Sequence, residues 1–252
     1  MSSKRNICVY ANKKELVIAT TEKIINFIKY VIQENGLCNI ALAGGNTPRD
    51  VYSMLAMNAY KKRVDWNCVH LFWGDERTVP PNHPDSNFRM VKQALLMHIT
   101  IPEDNVHRIR GEIEPGQAAT EYTTLLRDHF KGDLPRFDLI LLGVGEDGHT
   151  ASLFPGTSAL GEHNKPVVAV FVSKLNTCRV TLTLPVFNAA KEIIFLVSGS
   201  SKSDIVQQII NVDRPTKDLP ATLINPDNGI IHWMLDSEAA ALIDKKEALS
   251  KK

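Results

Sequence analysis

Asp138-Leu-Ile-Leu-Leu-Gly-Val-Gly-Glu-Asp-Gly-His-Thr150 joins a short run of branched apolar residues directly to a loop of glycine, carboxylate and imidazole. An apolar run this short, ended by glycine, reads as a strand buried on both faces rather than a helix. The same arrangement recurs. Asn39-Ile-Ala-Leu-Ala43 runs into Gly44-Gly-Asn-Thr-Pro48, Val69-His-Leu-Phe-Trp73 into Gly74-Asp-Glu-Arg77, and Ile193-Ile-Phe-Leu-Val197 into Ser198-Gly-Ser-Ser-Lys202. Val167-Val-Ala-Val-Phe-Val172 is a further apolar run, and helix-length amphipathic segments separate most of these stretches. Near the N-terminus a strand is expected at Ile7 to Tyr10. After it, Leu16, Ala19, Ile24, Phe27, Ile28, Val31 and Ile32 recur at helical spacing up to a capping Gly36. Strands alternating with helices predict an α/β fold: a mostly parallel sheet covered by helices on both faces, its ligand crevice at the carboxyl ends of the strands. The polar loops converge there.

Composition narrows the function classes. The chain has 252 residues, 44% of them hydrophobic, which is enough for one domain spanning 1–252. Its 29 basic and 28 acidic side chains leave a net charge of +1, so no general field draws nucleic acid, and an anion must be captured locally. No apolar run is long enough to span a bilayer and no signal-peptide segment is evident, so a membrane partner is not expected and the cytoplasm is the expected compartment. Cys8, Cys38, Cys68 and Cys178 form no CxxC pair and read as reduced core residues. The eight histidines are scattered, without metal-ligand spacing. Neither a metal nor an organic cofactor is expected, and the oligomeric state is left open, a monomer being compatible.

Gly44, Gly45, Asn46 and Thr47 lie between a strand and a helix expected to begin near Pro48. Two glycines can turn backbone amides outward, and a helix N-terminus adds positive potential, so the loop suits a phosphate; it could equally be a tight turn, with the Thr47 hydroxyl favouring phosphate. Gly143-Val-Gly-Glu-Asp-Gly148 formally matches the dinucleotide fingerprint, but Glu146 and Asp147 would oppose a pyrophosphate and Pro155 interrupts the helix that should follow. The glycines instead bend a loop that projects Asp147 and His149. An imidazole beside a carboxylate is general-base apparatus, whereas many histidines merely satisfy buried backbone; the setting in a glycine-rich loop at a strand end favours the base. Asp75, Glu76 and Arg77 begin beside the same crevice, where a guanidinium can grip an oxyanion with two hydrogen bonds. Arg179 opens an alternating strand and Lys202 precedes a helix; together they could complete an anion site. GxSxG, Walker and HExxH motifs are absent.

The ordered set Ala43-Gly-Gly-Asn-Thr-Pro48, Phe72-Trp-Gly-Asp-Glu-Arg-Thr-Val79, Asp85-Ser-Asn87, Leu142 to Gly156, Arg179 to Pro185, Ser198 to Lys202, Ala221 to Ile224 and Trp233 to Asp236 resembles the 6-phosphogluconolactonases and covers nearly the whole chain. The resemblance implies a modified Rossmann-like fold shared with glucosamine-6-phosphate deaminases, ending in a strand and a helix. It also implies hydrolysis of 6-phosphoglucono-1,5-lactone in the oxidative pentose phosphate pathway. By position, Gly45, Asn46, Thr47, Arg179 and Lys202 would hold the substrate phosphate, with Gly44 and Asp75 beside the substrate. Arg77 would lie near the sugar or its reacting end, and His149, oriented by Asp147, would activate water. The family commonly has serine where this chain has Asn46; an amide donor could take over that contact. Two other readings compete. An amino-sugar phosphate deaminase or isomerase should carry a carboxylate after the histidine, where Thr150-Ala-Ser-Leu-Phe-Pro155 has none. A non-catalytic sugar-phosphate sensor would need a DNA-binding module, for which there is no spare length.

Overall fold

The computed structural model describes residues 4–243. In chain order the elements are β1 (Lys4–Tyr10), α1 (Lys13–Asn35), β2 (Cys38–Leu42), α2 (Asn46–Leu55), α3 (Asn58–Lys61), β3 (Val69–Trp73), β4 (Asp75–Arg77), α4 (Asn87–Ala94) and β5 (Val106–His107). They continue with α5 (Pro115–Phe130), β6 (Leu139–Leu142), β7 (Val167–Val172), β8 (Thr177–Leu182), α6 (Leu184–Ala189), β9 (Glu192–Val197), α7 (Ser203–Ile210) and β10 (Ile230–Asp236).

Seven strands form one sheet in the order β1-β10-β9-β6-β2-β3-β5, and every neighbouring pair is parallel. Side chains alternate between sheet faces along a strand, yet every residue of β2 and of β6 is buried. Both faces of the sheet centre are therefore covered, as the apolar runs predict. The helix α1 ends as its sequence suggests, at a left-handed Gly36 whose N–H donates to the Ile32 carbonyl at 2.8 Å. Across β9 and β10, Phe195 and Trp233 are register partners with rings stacked 4.1 Å apart, a contact worth about 0.5–1.5 kcal/mol beyond its burial.

Strand order places the crevice. From β2 the chain moves outward to β3 and β5, then returns to lay β6 on the other side of β2. The loops leaving β2 and β6 consequently run in opposite directions, and a cleft opens between them at the carboxyl ends. Two buried tyrosines pin the strand ends there. Tyr52 Oη donates to the Ala43 carbonyl and accepts from the Ala43 N–H, both at 3.0 Å. Tyr122 Oη accepts from the Trp73 N–H at 3.0 Å and lies 3.2 Å from the Trp73 carbonyl.

Three expectations need correction. Val167–Val172 does not join the parallel sheet: β7 pairs antiparallel with β8, which pairs antiparallel with β4, in a separate three-stranded sheet. The connection from Val172 to Thr177 is a tight turn with Asn176 in the left-handed region, far shorter than the dozen or more residues a parallel crossover requires. The helix placed near Pro48 starts at Asn46, with Gly45 as its N-cap and Pro48 at the third helical position. That position also has an N–H without an intrahelical partner, so proline is still tolerated. After β10 the described chain continues as turns to residue 243, without the expected helix; the last four residues, 249–252, lie outside the described region.

Candidate active site

The loop leaving β2 depends on the conformation of one glycine. Gly45 has φ +99° and ψ 168° as the N-cap of α2, a backbone that a Cβ would strain. The first turn of α2 lines a cavity of about 940 Å³, together with Gly44, Gly45, Ser198 and Lys202 among others. Thr47 Oγ1 lies 2.7 Å from Ser198 Oγ, latching this loop to the one leaving β9. That second loop is held in turn by Asp236, at the end of β10, whose carboxylate accepts the Gly199 N–H at 3.1 Å.

The loop leaving β6 brings an imidazole and a carboxylate together. His149 Nδ1 lies 2.5 Å from Asp147 Oδ1, and the His149 N–H donates to the same oxygen at 3.3 Å. The loop closes on itself through Gly145 N–H to the His149 carbonyl at 2.8 Å, Gly148 N–H to the Gly145 carbonyl at 3.0 Å and Thr150 Oγ1 to the Gly143 carbonyl at 2.8 Å. A Cβ on Gly145 would collide with the His149 ring. That close approach, rather than a dinucleotide phosphate, accounts for the glycine, and no helix follows β6 as the dinucleotide fingerprint would require. The imidazole stacks on Phe154, with centroids 3.9 Å apart. Burial is the largest single influence on the Asp147 carboxyl and pushes its pKa up. The hydrogen bonds from His149 and Lys174 together outweigh burial and hold it well below the usual carboxylate range. Asp147 is therefore an anion at neutral pH. It fixes the ring by Nδ1 and leaves Nε2 to act.

The small antiparallel sheet supplies cations. Arg77 and Arg179 are register partners across β4 and β8, so their side chains leave the same face. Arg77 Nη1 donates to the Asp85 carbonyl at 2.6 Å, and Arg179 Nη1 donates to the Cys178 carbonyl at 3.1 Å. Neither guanidinium forms an ion pair among the described residues, and nor does Lys202. Burial lowers the Arg179 pKa, with the charge of Arg77 adding to the effect. The charges of Asp75, Asp85 and Glu76 act on Arg179 in the opposite direction, but none is ion-paired with it among the described residues, so the two neighbouring guanidiniums can still receive an anion.

The two residues before Arg77 on β4 are buried carboxylates. Asp75 Oδ2 accepts from Ser152 Oγ at 2.6 Å, and its carbonyl accepts from Asn87 Nδ2 at 3.0 Å. Glu76 accepts from Ser86 Oγ and from the N–H groups of Arg77, Asn87 and Phe88, at 2.7–3.1 Å. It thus caps α4 and ties β4 to it, although burial still pushes its carboxyl pKa up.

Two smaller cavities adjoin the first. One of about 340 Å³ is lined by Asp75, Arg77, Asp147, His149, Arg179 and Lys202 among others. The other, about 280 Å³, touches Gly44, Gly45, Asp75, Arg77, His149 and Lys202. Lys202 lines all three. Arg179 shares a cavity with His149, not with Asn46 and Thr47, so the residues expected around a phosphate are split between neighbouring cavities and joined by Lys202.

Lys174 was not legible as a site residue. It lies in the β7–β8 turn and pairs with Asp147 Oδ2 at 2.9 Å, and only the hairpin, which the apolar run concealed, brings it there. Ser152 was equally hidden, because a serine in an apolar segment gives no sign of a buried carboxylate partner. Away from the crevice, three histidines read from sequence as scattered, His70, His107 and His129, come together.

A family model described as glucosamine-6-phosphate isomerases/6-phosphogluconolactonase matches residues 11–233. A protein of Synechocystis sp. named 6-phosphogluconolactonase is 40% identical over 235 residues, 92% of this chain and 95% of its own. One of the same name from Haemophilus influenzae is 37% identical, over 88% of this chain and 94% of its own. Among solved structures, the 6-phosphogluconolactonase from Trypanosoma cruzi superimposes with a TM-score of 0.84 at 31% identity, covering 97% of this chain and 98% of that one. With matches of this extent, the chain belongs to the glucosamine-6-phosphate isomerase/6-phosphogluconolactonase family.

Proposed function

We propose that this chain hydrolyses 6-phosphoglucono-1,5-lactone to 6-phosphogluconate, the step of the oxidative pentose phosphate pathway for which its relatives are named. The observation that carries the chemistry is the His149–Asp147 pair facing the same cavity as Arg77, Arg179 and Lys202. A base and unpaired cations are what an anionic ester needs.

In this reading the phosphate sits beside Lys202, between the Gly45, Asn46 and Thr47 amides on one side and Arg179 on the other, with Gly44 and Asp75 flanking the sugar. His149 Nε2 takes a proton from water as the water oxygen bonds to the lactone carbonyl carbon. The carbonyl π electrons move to oxygen, and Arg77 stabilises the resulting oxyanion. Collapse of that intermediate re-forms the carbonyl and breaks the bond to the ring oxygen, which takes the proton back from His149. The lactone carbonyl is reactive enough for water activated in this way; the imidazole carries one water proton to the leaving oxygen, and the new carboxylic acid loses the other to solvent, giving the carboxylate. The four cysteines are unpaired, which suits the reducing cytoplasm proposed as its compartment.

The test is hydrolysis of freshly generated 6-phosphoglucono-δ-lactone, measured against spontaneous opening, for the wild type and His149→Ala. Expected are rapid wild-type turnover and a loss of ~100- to 10,000-fold in the folded variant. No acceleration by folded wild type, with turnover of glucosamine 6-phosphate instead, would move the assignment to the isomerase branch of the family. Full activity in the variant would keep the hydrolase and remove His149 from its mechanism.

A further inference from the structure

We propose that His70, His107 and His129 form a binding site for one divalent transition-metal ion of the zinc class, separate from the crevice. Sheet geometry puts them together. His70 and Phe72 are two apart on β3 and share a face; His107 is the register partner of Phe72, and Asn39 is that of His70. The last turn of α5 lays His129 over that same face.

The three rings are spaced like ligands. His70 Nδ1 and His107 Nε2 lie 3.1 Å apart. One nitrogen from each of the three lies within 4.8 Å of the others. Two imidazole nitrogens bound to a tetrahedral ion at about 2.0–2.1 Å stand roughly 3.3 Å apart, so small side-chain rotations would close the set. Ring centroids are 5.4, 4.7 and 5.1 Å apart, a nearly equilateral triangle. His129 Nε2 lies 2.7 Å from Asn39 Oδ1, an outer hydrogen bond of the kind that orients metal-ligating histidines and leaves Nδ1 with its lone pair. All three side chains are partly exposed, so an ion can reach them and water can complete the coordination. Imidazole selects zinc, copper or nickel over calcium or magnesium. Such an ion would clamp the two-residue edge strand β5 and the end of α5 onto β3.

Metal-stripped full-length protein would be titrated with Co²⁺, read by visible absorption, and then with Zn²⁺ in competition. One equivalent should bind with the spectrum of a nitrogen-ligated, near-tetrahedral ion, and Zn²⁺ should raise Tm. His107→Ala and His70→Gln should each weaken binding at least ~100-fold and abolish the Tm shift, and Asn39→Ala should weaken it ~10-fold. Imidazole ¹⁵N shifts provide a test in the wild type itself: the signals of these three of the eight histidines should move with Zn²⁺. Binding that survives in both histidine variants, or wild-type shifts confined to other histidines, would overturn the site, as would less than one equivalent bound at 100-fold excess of ion over protein.

Discussion

The two sheets contribute different things to one crevice. The seven-stranded parallel sheet presents backbone: amides at Gly45 to Thr47 and a glycine-bent loop that carries His149 and Asp147. The three-stranded antiparallel sheet presents charge, with Arg77 opposite Arg179 across β4 and β8 and Lys174 in the turn beyond. A parallel sheet with a topological switch point makes a cleft from strand order alone, but its strand ends offer mainly loops and helix dipoles. Long cationic side chains need a neighbouring surface to aim them, and the small sheet is that surface. Backbone groups and cationic side chains thus reach the crevice from elements with different packing and different vulnerabilities.

The strongest way to break this division is to remove the charges. Arg77→Met should lower kcat by ~100- to 1,000-fold if it stabilises the oxyanion. Arg179→Met should instead raise KM, because a phosphate contact is made in ground and transition state alike. Steady-state kinetics on the lactone separate the two. Equal loss in both parameters for both variants would mean the guanidiniums act as one clamp, and a loss of only a few-fold would reduce the small sheet to scaffold.

A second test addresses the join between the sheets. Glu76→Ala leaves Ser86 Oγ and the Asn87 and Phe88 N–H groups without their acceptor in a buried site. It should cost about 2–3 kcal/mol of stability, read as a lower denaturant midpoint. Activity should fall with it, since β4 carries Asp75 and Arg77. A variant as stable as wild type would show that α4 and β4 are held by something other than this carboxylate.

What the sequence revealed follows the same division. Parallel strands buried on both faces announce themselves as apolar runs ending in glycine, so β2, β3, β6 and β9 were legible, and with them Gly45, Thr47, Asp147 and His149. The run Val167–Val172 looks the same in composition, yet it is followed by a turn too short for a crossover, and Phe171 is left 53% exposed. Lys174 and Ser152 escaped because their partners, Asp147 and Asp75, lie 27 and 77 residues away along the chain. Nothing local marks such a pair. The same holds for His70, His107 and His129, where strand register rather than sequence spacing brings the rings together.

The finest test concerns the ion pair between Lys174 of the β7–β8 turn and Asp147 of the loop leaving β6. Lys174 is 68% exposed, so its pairing with Asp147 is screened by water, and Lys174→Met should cost less than about 1 kcal/mol. The sign with pH follows from Asp147, whose pKa is depressed in the folded protein. A depressed carboxyl contributes stability above its unfolded value, about 3.9, and loses it as pH falls through the lower folded value. The stability gap between wild type and Lys174→Met should therefore be full at pH 5–7 and shrink below about pH 4, as measured by urea midpoints across that range. The rate should change only a few-fold, because Asp147 orients His149 through Oδ1, whereas Lys174 bonds the other oxygen, Oδ2. A 100-fold loss of kcat at pH 7 with an unchanged urea midpoint would place the hairpin turn inside the chemistry itself, and Lys174 would join Arg77 as a side chain of the small sheet on which the reaction depends.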